Sequence, residues 1–298
     1  MIITAGCSFT AGDSNWPEGF SKYGYLQYNN ENSSQPYDIH NIAASGSGNT
    51  IIRRKLFWYL NNSYWNDKFN PLRKVDYAII QWSTIDRWDY PIFVDDEKAK
   101  NFPRMDMHPE RINKINYMHN GTDTFGYGNA FYEKYYSIYG AVIETLENIY
   151  HAQLYLKEKN IPYKMITIGN LFGMDVAIDK LINLQKRIDK KSGDYSTLKI
   201  PNILEKIETL ENSWHDIHVI YDLLDKIDFN KFIFTDDVRI GGFGGGIIEW
   251  FLNKNEILAG GQFHPSKEQS IDFFDNFLMP NIKNELEKNY IKIKDKIV

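Results

Sequence analysis

Apolar residues gather along this chain in two rhythms. Short apolar runs, each with a turn-forming or polar residue close behind it, fall at Ile2–Ala5, 37–43, 75–82, 163–168 and, more weakly, 231–234. Runs of that length without alternation predict strands buried on both faces, as in a parallel sheet. Between them the spacing lengthens to i, i+3, i+4. It predicts helices over 50–61, 136–159 and 266–288, the last with Ser266 as N-cap and Glu268 in its first turn. Residues 180–190 and 201–226 read as helical too. Strands alternating with helices imply right-handed crossovers and a central parallel sheet covered on both faces. The expected class is α/β, a three-layer α/β/α arrangement of flavodoxin-like type. No repeat or low-complexity linker interrupts the pattern, so residues 1–298 are read as one domain. The pattern breaks only at 86–135, an aromatic, irregular insertion (YPIFVDD, NFPRMDMHPER, NYMHNGTDTFGYGNAFYEKY). Such segments are functional or lid-like, or else mobile.

Composition narrows the classes. With 43% hydrophobic and 24% charged residues, the chain can bury a core and is not a disordered one. A net charge of −5 and a pI near 5.8 leave no basic footprint, which excludes non-specific nucleic-acid binding. No apolar run reaches the ~18 residues that span a membrane. The first residues lack a basic leader with an apolar stretch and cleavage site, so a cytoplasmic protein, or a virion component made there, is expected. Cys7 is the only cysteine, so no intrachain disulfide can form. The 20 Tyr, 18 Phe and 7 Trp serve first as core; their sharper use is a groove for an organic or sugar ligand.

In open parallel sheets, sites form beyond the carboxyl ends of the strands. The first run is followed by Gly6-Cys7-Ser8-Phe9-Thr10, and the second ends in Asn41-Ile42-Ala43-Ala44-Ser45-Gly46-Ser47-Gly48-Asn49. The third ends in Trp82-Ser83-Thr84-Ile85-Asp86-Arg87, and Gly260-Gly261-Gln262-Phe263-His264-Pro265-Ser266 precedes the last helix. A serine on a strand-to-helix turn, nearby glycine N–H groups and a distant histidine are the parts of an acyl-transfer site. The hydroxyl needs a base, and the developing oxyanion needs donors already in place. Ser8 is the candidate nucleophile and His264 the candidate base. The Ser8 N–H and the Gly46 N–H are candidate oxyanion donors, glycine because it lacks a Cβ. Cys7 reads as a small buried residue, with Cys7–His264 catalysis as its alternative. No group that would orient the histidine is evident.

These blocks resemble the SGNH (GDSL-like) hydrolases, including the divergent members common in phage genomes. Gly6-Cys7-Ser8-Phe9-Thr10 is similar to the family's first block, with Cys7 in the usual Asp place. Asn41 through Gly46 is similar to the second, and His264-Pro265-Ser266 to the end of the fifth. Two positions depart. Ile85, followed by Asp86, stands where the third block carries an oxyanion-donating Asn, and Gly261 stands where the fifth carries the Asp that orients the histidine. Loss of one such donor costs about 10²–10³ in rate. Asn49 or Arg87 could take over as donor; a backbone carbonyl, Asp236 or Asp237 could hold the ring. The resemblance implies a serine esterase or deacetylase removing an O-acyl group, O-acetyl first, from a small-molecule or glycan ester. It implies no cofactor, no metal, no nucleic acid and no membrane partner. The competing expectation, favoured by Ile85 and Gly261, is a phage-associated binding or structural protein that keeps the fold and has lost turnover.

Other motifs read more plainly. Trp214-His215-Asp216-Ile217-His218 sets two histidines at i, i+3, but without a third ligand no metal is expected. Gly241-Gly242-Phe243-Gly244-Gly245-Gly246 lacks the Lys-Ser/Thr of a phosphate-binding loop and is read as a flexible turn at the site mouth. Its alternative is a nucleotide cradle. Lys186-Arg187-Ile188-Asp189-Lys190-Lys191 reads as the solvated end of a helix.

Overall fold

A computed structural model of the chain describes residues 1–11, 15–25, 39–44, 47–61, 75–85, 87, 89–93, 115–118, 137–171, 214–236, 243–256, 258 and 264–294. The expected helix at 180–190 and the first part of 201–226 lie outside them, as do Gly46, Asp86, Asp237 and Gly261.

The strands in chain order are β1 (Ile2–Ala5), β2 (Ile39–Asn41), β3 (Tyr77–Trp82), β4 (Tyr90–Phe93), β5 (Ile115–Met118) and β6 (Tyr163–Thr167). The helices are α1 (Asn49–Asn61), α2 (Ile138–Glu158), α3 (Trp214–Lys226), α4 (Ile247–Asn253), α5 (Lys267–Phe273) and α6 (Met279–Lys294). A π turn, Phe274–Leu278, joins α5 to α6, and 3-10 turns occupy Trp16–Tyr23 and Phe229–Lys231.

The central sheet runs β2-β1-β3-β6 with every pair parallel. Every residue of β1 and β3 is buried, which accounts for their unbroken apolar runs. Side-chain alternation divides the helices between two faces. Tyr77 and Lys164 both reach Glu285 on α6, by a 2.9 Å hydrogen bond and a 3.3 Å ion pair. Met165, one position on, faces Gln153 of α2, whose Nε2 lies 3.7 Å from its sulfur. So α1, α2 and α3 pack side by side over one face, while α5, the π turn, α6 and Trp16–Tyr23 cover the other. The result is a three-layer α/β/α fold.

Several elements differ from the sequence expectation. The ladder of β2 stops at Asn41, whose Oδ1 accepts the Ala43 N–H at 3.0 Å and turns the chain. The expected strand at 231–234 shrinks to one parallel bridge, Met165 with Phe232, because Thr235 turns away to donate to the Gly245 carbonyl at 3.0 Å. The insertion is not wholly irregular: β4 and β5 pair antiparallel, with Tyr90 opposite Met118. The last helix is broken by its π turn, which carries Phe274 onto Phe20 with ring centres 4.6 Å apart. Gly19 makes that approach possible, since a Cβ there would lie 2.3 Å from the Phe274 ring.

Candidate active site

The sheet order reverses between β1 and β3: the chain leaves β1 for one edge and returns to β3 on the other side. Such a switch point opens a crevice beyond the carboxyl ends of the strands. Ser8 follows β1 there. The Cys7 carbonyl accepts both the Thr10 and Ala11 N–H groups at 3.0 Å, so residues 7–11 coil into a single helical turn. Ser8 sits at its first position, and the Ser8 N–H donates to no described residue. This is the arrangement that leaves a backbone donor pointing at a ligand. Gly6 is required on steric grounds, because a Cβ would lie 2.3 Å from the Thr10 hydroxyl folded back over it.

The Ser8 Oγ lies 2.6 Å from the Nε2 of His264, across 256 residues of chain. Both side chains are half-buried. The imidazole rests on Phe9, ring centres 4.7 Å apart and 33° from parallel. Behind it Pro265 is buried, and Ser266 caps α5: its hydroxyl accepts the Gln269 N–H at 3.3 Å while Gln269 accepts the Ser266 N–H at 3.0 Å. The histidine is thus anchored at a rigid helix start. With the ring proton on Nδ1, Nε2 is an acceptor for the serine proton.

Cys7 points the other way. It is fully buried, and its sulfur accepts the Gln81 Nε2 at 3.4 Å. The Thr10 hydroxyl in turn donates to Gln81 Oε1 and accepts the Trp16 indole N–H at 3.1 Å. Asn41 ties the end of β2 to the same turn, donating to the Thr10 carbonyl at 2.7 Å. The Ala44 N–H donates to the Gly6 carbonyl at 3.2 Å, which brings the second block alongside the first. Gly46, two residues further, is outside the described residues, and Asp86 and Gly261 are likewise.

The structure engages the Asn49 side chain with residues other than Ser8 and His264 and sets Arg87 in a cavity that neither of them borders. Asn49 is buried and clamps the end of β3: its Oδ1 accepts the Ser83 N–H at 2.8 Å. Its Nδ2 donates to the Ser83 carbonyl at 3.3 Å and to Thr145 Oγ1 at 3.1 Å, so both amide protons are engaged within the scaffold. Arg87 lines a small cavity between α1 and α2, with Asn49, Thr50, Ile85, Glu144 and Asn148, and neither Ser8 nor His264 borders it. Ile85 itself is buried in the core.

The described part of the glycine-rich loop, residues 243–246, is pinned by hydrogen bonds. The Gly245 N–H donates to Asp236 Oδ1, and the Gly246 N–H to Glu249 Oε2 at 2.8 Å. A Cβ on Gly246 would lie 2.1 Å from the Thr167 carbonyl, so the loop crosses directly over the end of β6. Among the described residues of the loop, 243–246, these two N–H groups are already held by carboxylates and are not open to a phosphate. Asp236 accepts one of this loop's N–H groups, and Asp237 lies outside the described residues.

Two buried carboxylates brace the neighbouring loops. Asp89 accepts the Gly48 and Ile51 N–H groups at 2.9 and 2.8 Å and so fastens the start of α1. Burial pushes its carboxyl up to about 7; the Ile51 and Gly48 N–H groups pull the other way, Glu144 adds to the rise, and Arg87 opposes it. Glu249 accepts the Gly246 N–H and also the Asn170 N–H at 2.9 Å, and burial holds it above the usual carboxylate range. The sequence reading missed Gln81, Asp89 and Glu249. Gln81 had a signal, the one polar residue of the six in β3, and Glu249 stands three residues into its own helix. Asp89 had none, since its partners come from another segment.

No protein-family model, curated protein or solved structure matches the chain. Among the described residues no helix is long and apolar enough to cross a membrane.

Proposed function

We propose that this protein is a serine hydrolase of SGNH-like type that removes an O-acyl group, O-acetyl first, from an alcohol such as a glycan hydroxyl. The observation that carries the reading is the 2.6 Å approach of Ser8 Oγ to His264 Nε2, from opposite ends of the chain. Ser8 meets this histidine at a sheet switch point, and its own N–H donates to no described residue. In the proposed reaction, Ser8 Oγ attacks the acyl carbonyl as its proton passes to His264. The carbonyl oxygen, now negative, takes a hydrogen bond from the Ser8 N–H, with Gly46 of the second block, outside the described residues, the sequence's candidate for a second donor. Collapse breaks the bond to the alcohol, which takes the proton from His264 and leaves an acyl-Ser8. Water, deprotonated by His264, then attacks the acyl carbon and releases the acid and free serine. No metal or cofactor enters these steps.

The test is hydrolysis of p-nitrophenyl acetate together with fluorophosphonate labelling of wild type, Ser8→Ala and Cys7→Ala. Loss of both signals in Ser8→Ala alone supports the reading. Loss only in Cys7→Ala transfers the role to the thiol. A second reading, a binding protein on the same fold, draws on the commitment of Asn49 and the burial of Ile85, which leave the third block without an oxyanion donor. An unlabelled, inactive wild type supports it.

A further inference from the structure

We infer that Gln81 is a positioning residue for the nucleophile. The inference rests on the reading of Ser8 as the attacking group and names what fixes it in place. Ser8 has no packing of its own that would hold its turn: it is half-buried, on one coil of chain at the rim of the sheet. What holds the turn lies beneath it. Gln81 is fully buried in β3, and its single amide reaches both flanks of Ser8. Its Nε2 donates to Cys7 Sγ at 3.4 Å, one residue before the serine, and its Oε1 accepts from the Thr10 hydroxyl, two residues after it. A side chain bonded on both sides of a residue fixes position and direction, where one bond fixes only distance. Trp16 closes the network from outside, donating to the same threonine oxygen at 3.1 Å.

Burial of a glutamine within an apolar strand is costly unless each of its groups is paired. Here they are, by Cys7 and Thr10 of one turn and by the Trp82 carbonyl, which takes a second Nε2 hydrogen bond at 3.4 Å, so the fold gains a link between the centre of the sheet and the nucleophile. The network carries no charge. It holds the same geometry across the range in which a serine–histidine pair works.

Gln81→Met keeps the volume and removes the two hydrogen bonds to the turn, along with the one to the Trp82 carbonyl. The readouts are kcat and KM for p-nitrophenyl acetate, the rate of fluorophosphonate labelling at Ser8, and the rate of reaction of Cys7 with a small disulfide reagent under native conditions. Because Cys7 is the only cysteine, the last reports the opening of this turn alone. Tyr59→Phe, which removes a buried hydroxyl elsewhere, is the control for general loss of stability. The expected result is a roughly 10–100-fold fall in kcat and in labelling rate with KM within about threefold, as for a displaced reacting atom. Cys7 is expected to react faster than in the control by a similar factor. Wild-type labelling together with control-level Cys7 reactivity in Gln81→Met overturns the inference. If wild type itself neither turns over nor labels, the hydrolase reading fails separately. Cys7 reactivity then decides alone whether Gln81 holds the turn: a rise supports it and no rise overturns it.

Discussion

Around Ser8, residues 7–11 are held by neutral groups: the Gln81 amide, the Thr10 hydroxyl, the Trp16 indole and the Asn41 amide. To either side, the loop entering α1 and the loop entering α4 are each held by a buried carboxylate, Asp89 and Glu249, that accepts two backbone N–H groups. Both devices solve one problem, which is to satisfy loop backbone at the end of a sheet where no neighbouring strand can. They differ in response to protons. A neutral network keeps its geometry at any moderate pH and puts no charge near the serine. A buried carboxylate binds N–H groups more strongly, but its energy depends on whether it is ionised. The Ser8 turn, which carries the proposed nucleophile, is therefore fixed by the pH-independent device and the flanking loops by the pH-dependent one.

The largest effect expected is at the centre of the neutral region. His264→Ala should lower turnover by about 10³-fold or more, and Ser8→Ala/His264→Ala should be no worse than either single variant, because the two act as a unit. Additive losses in steady-state kinetics would separate their roles and dissolve the region as one device.

The next effect tests the charged side. Asp89 carries a carboxyl raised by burial to about 7 in the native state, against about 3.9 in an unfolded chain. Between those values the native state holds the proton more tightly, so stability from this group is full below pH ~4 and falls as pH rises to ~7, by at most roughly 4 kcal/mol. His40 works in the opposite sense. It is buried and lowered to about 4, so its contribution grows as pH rises from there toward 6.5, the unperturbed value. Urea unfolding of Asp89→Asn across pH 4–7 should therefore show stability rising with pH more steeply than in wild type. An unchanged pH slope would show that Asp89 is not the titrating group.

Thr10→Val and Glu249→Gln set the two devices side by side. Each strands buried partners and should cost about 1–3 kcal/mol in urea unfolding. Thr10→Val should also cut kcat by about tenfold, since it loosens the turn itself. Glu249→Gln should leave kcat within about threefold of wild type. Equal kcat losses in the two would erase the functional distinction between them.

The smallest effect concerns Asn49. As a clamp between α1, α2 and β3, its replacement by Ala should cost about 1–3 kcal/mol of stability and less than threefold in kcat. As an oxyanion donor it would instead lose about 10²–10³ in kcat, and that result would reverse the assignment drawn from its hydrogen bonds.

Much of this was legible in the chain. Short apolar runs mark β1, β3 and β6 because a strand buried on both faces has no polar side to show. Ser8 and His264 could be picked out because each sits at the end of an element the pattern already bounded: Gly6 closes β1, and Ser266 opens α5. Local chemistry, a turn or a cap, is written in adjacent residues.

Other features depend on residues far apart in the chain. The 2.6 Å contact between Ser8 and His264 exists because strand order and crossovers bring two distant chain ends to one crevice. Asn49 looked free to donate until Ser83 and Thr145, from another strand and another helix, took its protons. The glycine-rich stretch read as a flexible turn, but in its described part Asp236 and Glu249 hold the Gly245 and Gly246 N–H groups and Thr167 leaves no space above β6 at Gly246. The sequence by itself determined the elements, their periodicity and the residue types able to do acyl chemistry. Only the tertiary structure decided which polar groups remain available, because a hydrogen bond between distant segments is fixed by packing and topology, and neither is encoded in any one stretch of chain.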